Sequence, residues 1–328
     1  MVIYKRSLTP YESFHLYGIL IRVLKKGGGK MSKRFLPEIV LISISFIWGI
    51  TFVVVQDAIK DLPPYSFLAI RFFVAFLLLW LINKLFMKEN VWNKAAILSG
   101  IGIGFFLFLG FALQTFSLLY TTSGKSGFFT GMNVAFVPFV TLLFFQQRIK
   151  FPTLIGILCS IIGLYFLSGS IVGMNLGDIL ALGCAVAFAI QIALTGQYTK
   201  KVATYPFVIW QLLTVTVCSG ILAAFYEPFH PTILLKPTVW TAVLVTSAFA
   251  TVFAFVGQTL VQKQISSARV AIIFTLEPVF AALGDYVVNG ITLSAVELIG
   301  CSSIIIGIIL AEIPWKIRKK ESVMLDLD

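Results

Sequence analysis

Two ionisable residues, Arg71 and Glu277, stand inside long apolar stretches. A charge at the centre of a bilayer costs roughly 2.5–3.5 kcal/mol, so each needs a reason to be there. For Arg71 the functional reading is contact with an anion or carboxylate in a central cavity. The structural reading is a buried partner for a carboxylate or for helix-end carbonyls, or a side chain reaching toward the headgroups. Glu277 reads as a proton-coupling or cation-binding carboxylate. Otherwise it accepts hydrogen bonds from backbone freed by Pro278, or pairs with Arg71. Trp48 and Trp210 lie deep in their stretches, whereas tryptophans usually belt the interface. Gln114, Asn133, Gln191, Gln211 and Gln258 are in-span amides that either glue helices together or line a path. These nine residues are the candidates for a substrate pathway or for ion coupling.

Other chemistry is not encoded. Cys159, Cys184, Cys218 and Cys301 each fall within apolar runs without a close ligand pair, so neither a metal nor a disulfide is expected. His15 and His230 lie outside the apolar stretches, and no glycine-rich nucleotide loop is present. No enzyme and no cofactor is expected, and transport driven by ATP in cis is unsupported. Asp178 reads first as a helix N-cap, Asp285 as interfacial, and Lys125 as a solvated loop lysine or an anion-attracting group at a cavity entrance.

The elements that must position these residues follow from composition. Of 328 residues, 59% are hydrophobic and 12% charged, and the mean hydropathy is +0.97. A soluble fold is nearer half apolar and a quarter charged, so lipid is the expected main solvent. Apolar runs lie near 35–56, 65–83, 95–119, 127–145, 152–170, 178–197, 206–226, 239–261, 269–288 and 294–313. Each is too long and too uniformly apolar for a β-barrel strand. The reading is an all-α polytopic membrane protein of about ten transmembrane helices. The net charge of +11 sits between the runs and at the ends, a pattern of topology and not of nucleic-acid binding. Counting flanks alternately, 21 Lys and Arg fall on one side and 3 on the other, with Arg71 inside a span. Both termini are therefore expected in the cytoplasm, in an inner-membrane, multi-pass topology.

The chain repeats itself. Gln114-Thr115 and Thr122-Ser123 match Gln258-Thr259 and Ser266-Ser267; Val137-Pro138 matches Glu277-Pro278; Gln147-Arg148-Ile149-Lys150 matches Asn289-Gly290-Ile291-Thr292; and Ile155-Gly156 matches Ile299-Gly300. The expected organisation is a basic cytoplasmic segment 1–34, five-helix repeats at 35–172 and 176–313, and a cytoplasmic tail 314–328. Five spans per half inverts the second repeat relative to the first, the architecture that supports alternating access. Residues 1–30 carry no signal-peptide pattern. Lys25 to Lys30 encloses three glycines before Met31. With GGA or GGG codons that stretch would be a ribosome-binding sequence, making Met31 the start; the alternative is a disordered basic tail.

From Phe35 to Glu312 the chain resembles the EamA family of the drug/metabolite transporter superfamily. The segments that carry the resemblance are Trp48-Gly49-Ile50-Thr51-Phe52, Arg71-Phe72, Thr121 to Gly131 with Val137-Pro138, Gly177-Asp178-Ile179-Leu180-Ala181-Leu182, Gln211, and Glu277-Pro278-Val279-Phe280-Ala281-Ala282. The chain departs from the family where relatives commonly carry a glutamate, at Gln147 and Asn289. The resemblance implies a ten-helix metabolite transporter. The expected function is a secondary transporter, an exporter of a small polar metabolite such as an amino acid, acting as monomer or homodimer with proton or other ion coupling. The alternatives are a multidrug exporter for cationic compounds and a channel or lipid-translocating protein.

Overall fold

The computed structural model describes residues 35–147, 149–167, 174–228, 236–289 and 294–312. The basic N-terminal segment with Met31, the tail, and the side chains of Asp285 and Asn289 lie outside the described residues. Ten helical elements follow one another among the described residues. They are α1 (Leu36–Asp61), α2 (Pro64–Met87), α3 (Lys94–Ser117), α4 (Ser123–Phe145), α5 (Phe151–Leu167), α6 (Leu176–Tyr198), α7 (Thr204–Tyr226), α8 (Pro237–Val261), α9 (Ser267–Phe274 continuing as Leu276–Asn289) and α10 (Ala295–Glu312). Eight are long and apolar enough to cross a membrane, and α5 and α10 are shorter apolar helices. No strand occurs among the described residues.

Local chemistry sets where the helices start. Proline stands in the first turn of α1, α2 and α8, where its missing N–H has no intrahelical partner to lose. The Asn93 side chain caps α3 and Thr122 caps α4. At α6 the cap is Asn175, not Asp178. Asp178 is the third helical residue and closes a capping box: its Oδ2 accepts from Asn175 N at 3.1 Å while Asn175 Oδ1 accepts from Asp178 N at 3.0 Å.

The two halves do not pack as separate bodies. The most extensive contacts join α5 to α10, α3 to α6 and α7, α2 to α7, and α1 to α9, each between one half and the other. The pattern survives exchange of the halves: α3 against α6 corresponds to α8 against α1, and α4 against α6 corresponds to α9 against α1. The α5–α10 pair relies on glycine. A methyl at Gly163 would stand 2.7 Å from the Gly300 carbonyl oxygen, and one at Gly300 would stand 2.7 Å from that of Gly163. Gly300→Val is expected to destabilise the fold by about 1–3 kcal/mol through overpacking. Thermal unfolding of the purified protein in detergent checks this; an unchanged midpoint would refute close backbone packing here.

The α2–α7 pair is tied at both ends. Glu227, just after α7, accepts from Tyr65 N and Ser66 N at the start of α2, both at 2.7 Å. Glu89, just after α2, accepts from Tyr205 N at the start of α7 at 3.0 Å. Each carboxylate meets the unpaired N–H groups and positive dipole end of the partner helix. Burial raises the Glu89 carboxyl above its ordinary range and lowers the nearby Lys263 ammonium, while the two charges partly oppose those shifts.

Candidate functional site at the seam between the halves

Seven of the ten helices contribute to one cavity, part of it open to its surroundings. Its wall carries Trp48, Thr51, Phe52 and Val55 from α1, Arg71 from α2, Phe111, Gln114, Thr115 and Leu118 from α3, and Asn133 from α4. The second half adds Phe188, Gln191 and Ile192 from α6, Phe255 and Gln258 from α8, and Phe274 and Glu277 from α9.

Most of the lining follows the internal repeat. Trp48, Thr51 and Phe52 stand as far from the start of α1 as Phe188, Gln191 and Ile192 from the start of α6. Phe111 and Gln114 keep the spacing of Phe255 and Gln258. Asn133 and Glu277 lie equally far from the starts of α4 and α9, each just past a break in its helix, at Met132 and Thr275. The match of Val137-Pro138 to Glu277-Pro278 is therefore corrected by about one turn. Pro278 removes the N–H that would bond Phe274 O, which accounts for the break at Thr275; Pro138 lies too far from Met132 to do the same.

The repeat is symmetric in position and asymmetric in charge. Arg71 of α2 corresponds to the neutral Gln211 of α7, and Glu277 corresponds to the neutral Asn133. Arg71 is 3% exposed. Its Nε donates to Thr251 Oγ1 at 3.0 Å, and its guanidinium carbon lies 4.9 Å from the Phe111 ring centre and 5.4 Å from that of Phe72. Thr251 belongs to a π-helical stretch of α8, Thr246–Phe253, where wider turns re-aim the backbone. The Ala250 carbonyl in that stretch accepts from Trp48 Nε1 at 2.8 Å. Trp48 thereby points its ring nitrogen at the π-helical stretch, with the rings of Phe255 and Phe274 centred 5.7 and 4.9 Å away. Glu277 forms no ion pair within 4.0 Å, with Arg71 or any other cation, among the described residues. The Arg71–Glu277 salt bridge is thus not formed: both residues face the cavity without touching.

An amide chain runs along one wall. Gln258 Nε2 donates to Gln191 Oε1 at 3.2 Å and to Gln262 Oε1 at 3.1 Å. Gln191 Nε2 reaches Gln211 Oε1 at 3.5 Å. Gln114 donates to Thr130 Oγ1 at 3.4 Å. Of the nine residues singled out from sequence, seven line the cavity. Gln211 stands behind Gln191 and does not reach the lumen. Trp210 turns away altogether: its Nε1 donates to Val91 O at 2.9 Å and its ring meets Trp92. It packs on Gly100 of α3, where any side chain would collide with the Trp210 Cβ. Trp210→Phe is expected to leave transport within about twofold of wild type, in contrast with Trp48→Phe; equal losses in an uptake assay would refute that distinction.

The two ends of the cavity differ: hydrogen bonds knit one together, and the lining reaches further toward the other. On the side of Lys263, Gln262 Nε2 donates to Ile192 O at 2.9 Å and to Ser267 Oγ at 3.3 Å, and Ser267 Oγ donates to Ile192 O at 3.2 Å. Thr199 Oγ1 donates to Thr259 O at 2.9 Å. Gly196 lets α6 and α9 meet here, since a Cβ at that position would collide with Ser267 Oγ. At the opposite end the repeat counterparts of Gln262 and Thr259 are Leu118 and Thr115, which line the cavity. The counterpart of Gly196 is Gln56, whose Nε2 lies 3.5 Å from Thr121 O.

The sequence profile of the EamA-like transporter family matches residues 36–169 and again 175–312. The chain belongs to this family. Relatives of this EamA protein include an uncharacterized transporter of Archaeoglobus fulgidus, 32% identical over 89% of this chain and 90% of its own length. Another is YoaV of Bacillus subtilis, named an uncharacterized transporter, 23% identical over 74% and 84%. Protein PagO of Salmonella typhimurium is 25% identical over 83% and 91%. One solved crystal structure superposes with a TM-score of 0.69 at 17% identity, over 84% of this chain and 96% of that one, a likeness of fold. The chain is thus a multi-pass membrane transporter, and its EamA repeats meet at the cavity described above. Sequence reasoning missed the aromatic lining, Phe52, Phe111, Phe188, Phe255 and Phe274. One signal for it was available: Phe188 occupies the place of Trp48 in the second repeat. At the α4 end, Gln147 Nε2 donates to Gln197 Oε1 at 3.2 Å.

Proposed function

We propose that this protein is a secondary transporter that exports a small polar metabolite, an amino acid or similar solute, by alternating access across the cytoplasmic membrane. The observation that supports this reading is the seam cavity, mirrored in position but carrying a cation and a carboxylate at places whose repeat counterparts are amides. Arg71 would hold a carboxylate, Glu277 an ammonium or a coupling proton, and the aromatic wall an apolar side chain. The seal between Gln262, Ser267 and Ile192 would open while its counterpart around Leu118, Gln56 and Ser123 closes. The charge split supports a cytoplasmic location for both termini, segments 1–34 and 314–328, flanking repeats 35–172 and 176–313. A multidrug exporter for cations fits the aromatic wall and Glu277, but Arg71 in the same cavity would repel such compounds.

The test is a thermal-shift screen of purified protein against a metabolite library, followed by uptake of the hits into vesicles with and without a proton gradient. Saturable uptake with counterflow is expected. Flux that neither saturates nor shows counterflow would establish a channel instead.

A further inference from the structure

Two ion pairs mirror each other across the repeat. Glu38 is the third residue of α1 and Asp178 the third of α6; Arg269 is the third of α9 and Lys125 the third of α4. Arg269 Nη2 lies 3.4 Å from Glu38 Oε1, and Lys125 Nζ lies 3.9 Å from Asp178 Oδ2. One pair fastens the start of α9 to the start of α1, and the other fastens the start of α4 to the start of α6. A carboxylate suits the positive end of a helix dipole, and a cation does not. Arg269 and Lys125 both occupy that unfavourable place, and each pair supplies the carboxylate that offsets it.

Close packing extends both fastenings. A methyl on Gly49 of α1 would stand 2.6 Å from Glu277 O of α9, and one on Gly177 of α6 would stand 2.7 Å from Ser117 O, just ahead of α4. Thr121 Oγ1 donates to Asp178 Oδ1 at 2.7 Å, and Asn175 Nδ2 donates to Tyr120 O at 3.0 Å. The seal behaves differently under the repeat. At one end α9 meets α6 through Ser267, Ile192 and Gly196. At the other end Gln56 stands in the place of Gly196, and the cavity lining extends to Leu118 and Thr115. The two ends of the cavity therefore differ, yet each carries its ion pair. In an inverted repeat the second conformation follows from exchanging the arrangements of the halves. On that exchange Glu38–Arg269 takes the geometry of Asp178–Lys125 and is still an ion pair, whereas Gly196 and Ser267 take the places of Gln56 and Ser123.

We propose that the two ion pairs are clasps that stay closed throughout the cycle, so that α1 with α9 and α6 with α4 move as units and part from each other at the seal. This rests on the alternating-access reading and names its moving parts.

The test uses the purified full-length protein and needs no transported solute. Glu38→Arg is expected to lower the thermal midpoint by at least about 2 °C, and Glu38→Arg with Arg269→Glu should recover at least about half of that loss. The same cycle is repeated in Gly196→Val, which forces α6 away from Ser267, and the recovery should be equal there. Parting is read from Ser267→Cys and a water-soluble methanethiosulfonate: Gly196→Val should raise its labelling rate at least about tenfold. The parent protein, with Cys159, Cys184, Cys218 and Cys301, sets the background. If Gly196→Val does not fold, Gly196→Ala takes its place, since the Cβ alone meets Ser267 Oγ. An unchanged midpoint in Glu38→Arg, or no recovery in the double reversal, overturns the clasp. Recovery that vanishes in the Gly196 variant shows that clasp and seal open together, and unchanged labelling shows that the units do not part there; either result also overturns it. The transport reading is judged separately by saturable uptake of hits from the metabolite screen.

Discussion

Arg71→Gln should fold as well as wild type and lose transport by at least about a hundredfold. Arg71 is expected to carry the full charge recognition of a carboxylate in a dry, aromatic setting, and removing one partner of a buried charge pair costs roughly 2–5 kcal/mol. Folding should survive because glutamine keeps an N–H for Thr251, which Arg71 now bonds at 3.0 Å. The fold also accepts glutamine at the same place in the other repeat, as Gln211. Lysine should rescue little, since it lacks the planar fork that meets a carboxylate through two parallel bonds. The measurement is uptake of a screened metabolite into vesicles, alongside the thermal midpoint of the purified variant. Transport within tenfold of wild type would remove Arg71 from the substrate site. A collapsed midpoint would make it a structural residue of the α2–α8 contact.

The second large effect is expected at Gly196. A valine there cannot coexist with Ser267 Oγ in its present place, so the seal on the Lys263 side must part. Overpacking of about 2 kcal/mol confined to the sealed state shifts a two-state equilibrium about thirtyfold. Gly196→Val should therefore cut exchange at least about tenfold while leaving the rest of the fold intact, with Gly196→Ala intermediate. Counterflow measurements on both variants check the order. Wild-type rates in Gly196→Val would show that α6 and α9 need not meet during the cycle.

Helices were legible in the sequence because lipid imposes a length and a composition on every span. Their starts were less sharply legible: Asp178 read as the cap of α6, where Asn175 caps and Asp178 closes the box. Rotation about each helix axis was not legible in the same way. Gln191 and Gln211 are both in-span amides, but one faces the lumen and the other stands behind it, because α7 is pressed against α3 at Gly100 and Gly104. Trp48 and Trp210 differ for the same reason: one is aimed by a carbonyl in the π-helical part of α8, the other by Val91. Neither that stretch nor the break at Met132 has a residue that announces it, and the prolines pointed to a register one turn off. Counting from helix starts, and not from prolines, recovers the pairing of Asn133 with Glu277.

The interleaving of the halves has a consequence for how the chain is made. Arg71 donates its hydrogen bond to α8, and the acceptor Thr251 lies 180 residues later in the chain. At ribosomal speeds of roughly 5–20 residues per second, that partner follows Arg71 by on the order of 10–40 s. A somewhat shorter delay separates α2 from α7 and α5 from α10, each pair starting about 140 residues apart. Throughout that interval the Arg71 guanidinium sits in the first half with its eventual partner still unsynthesised. Because the most extensive helix contacts run between the halves, a chain truncated after α5 is expected to leave those faces uncovered and not to act as a smaller working unit.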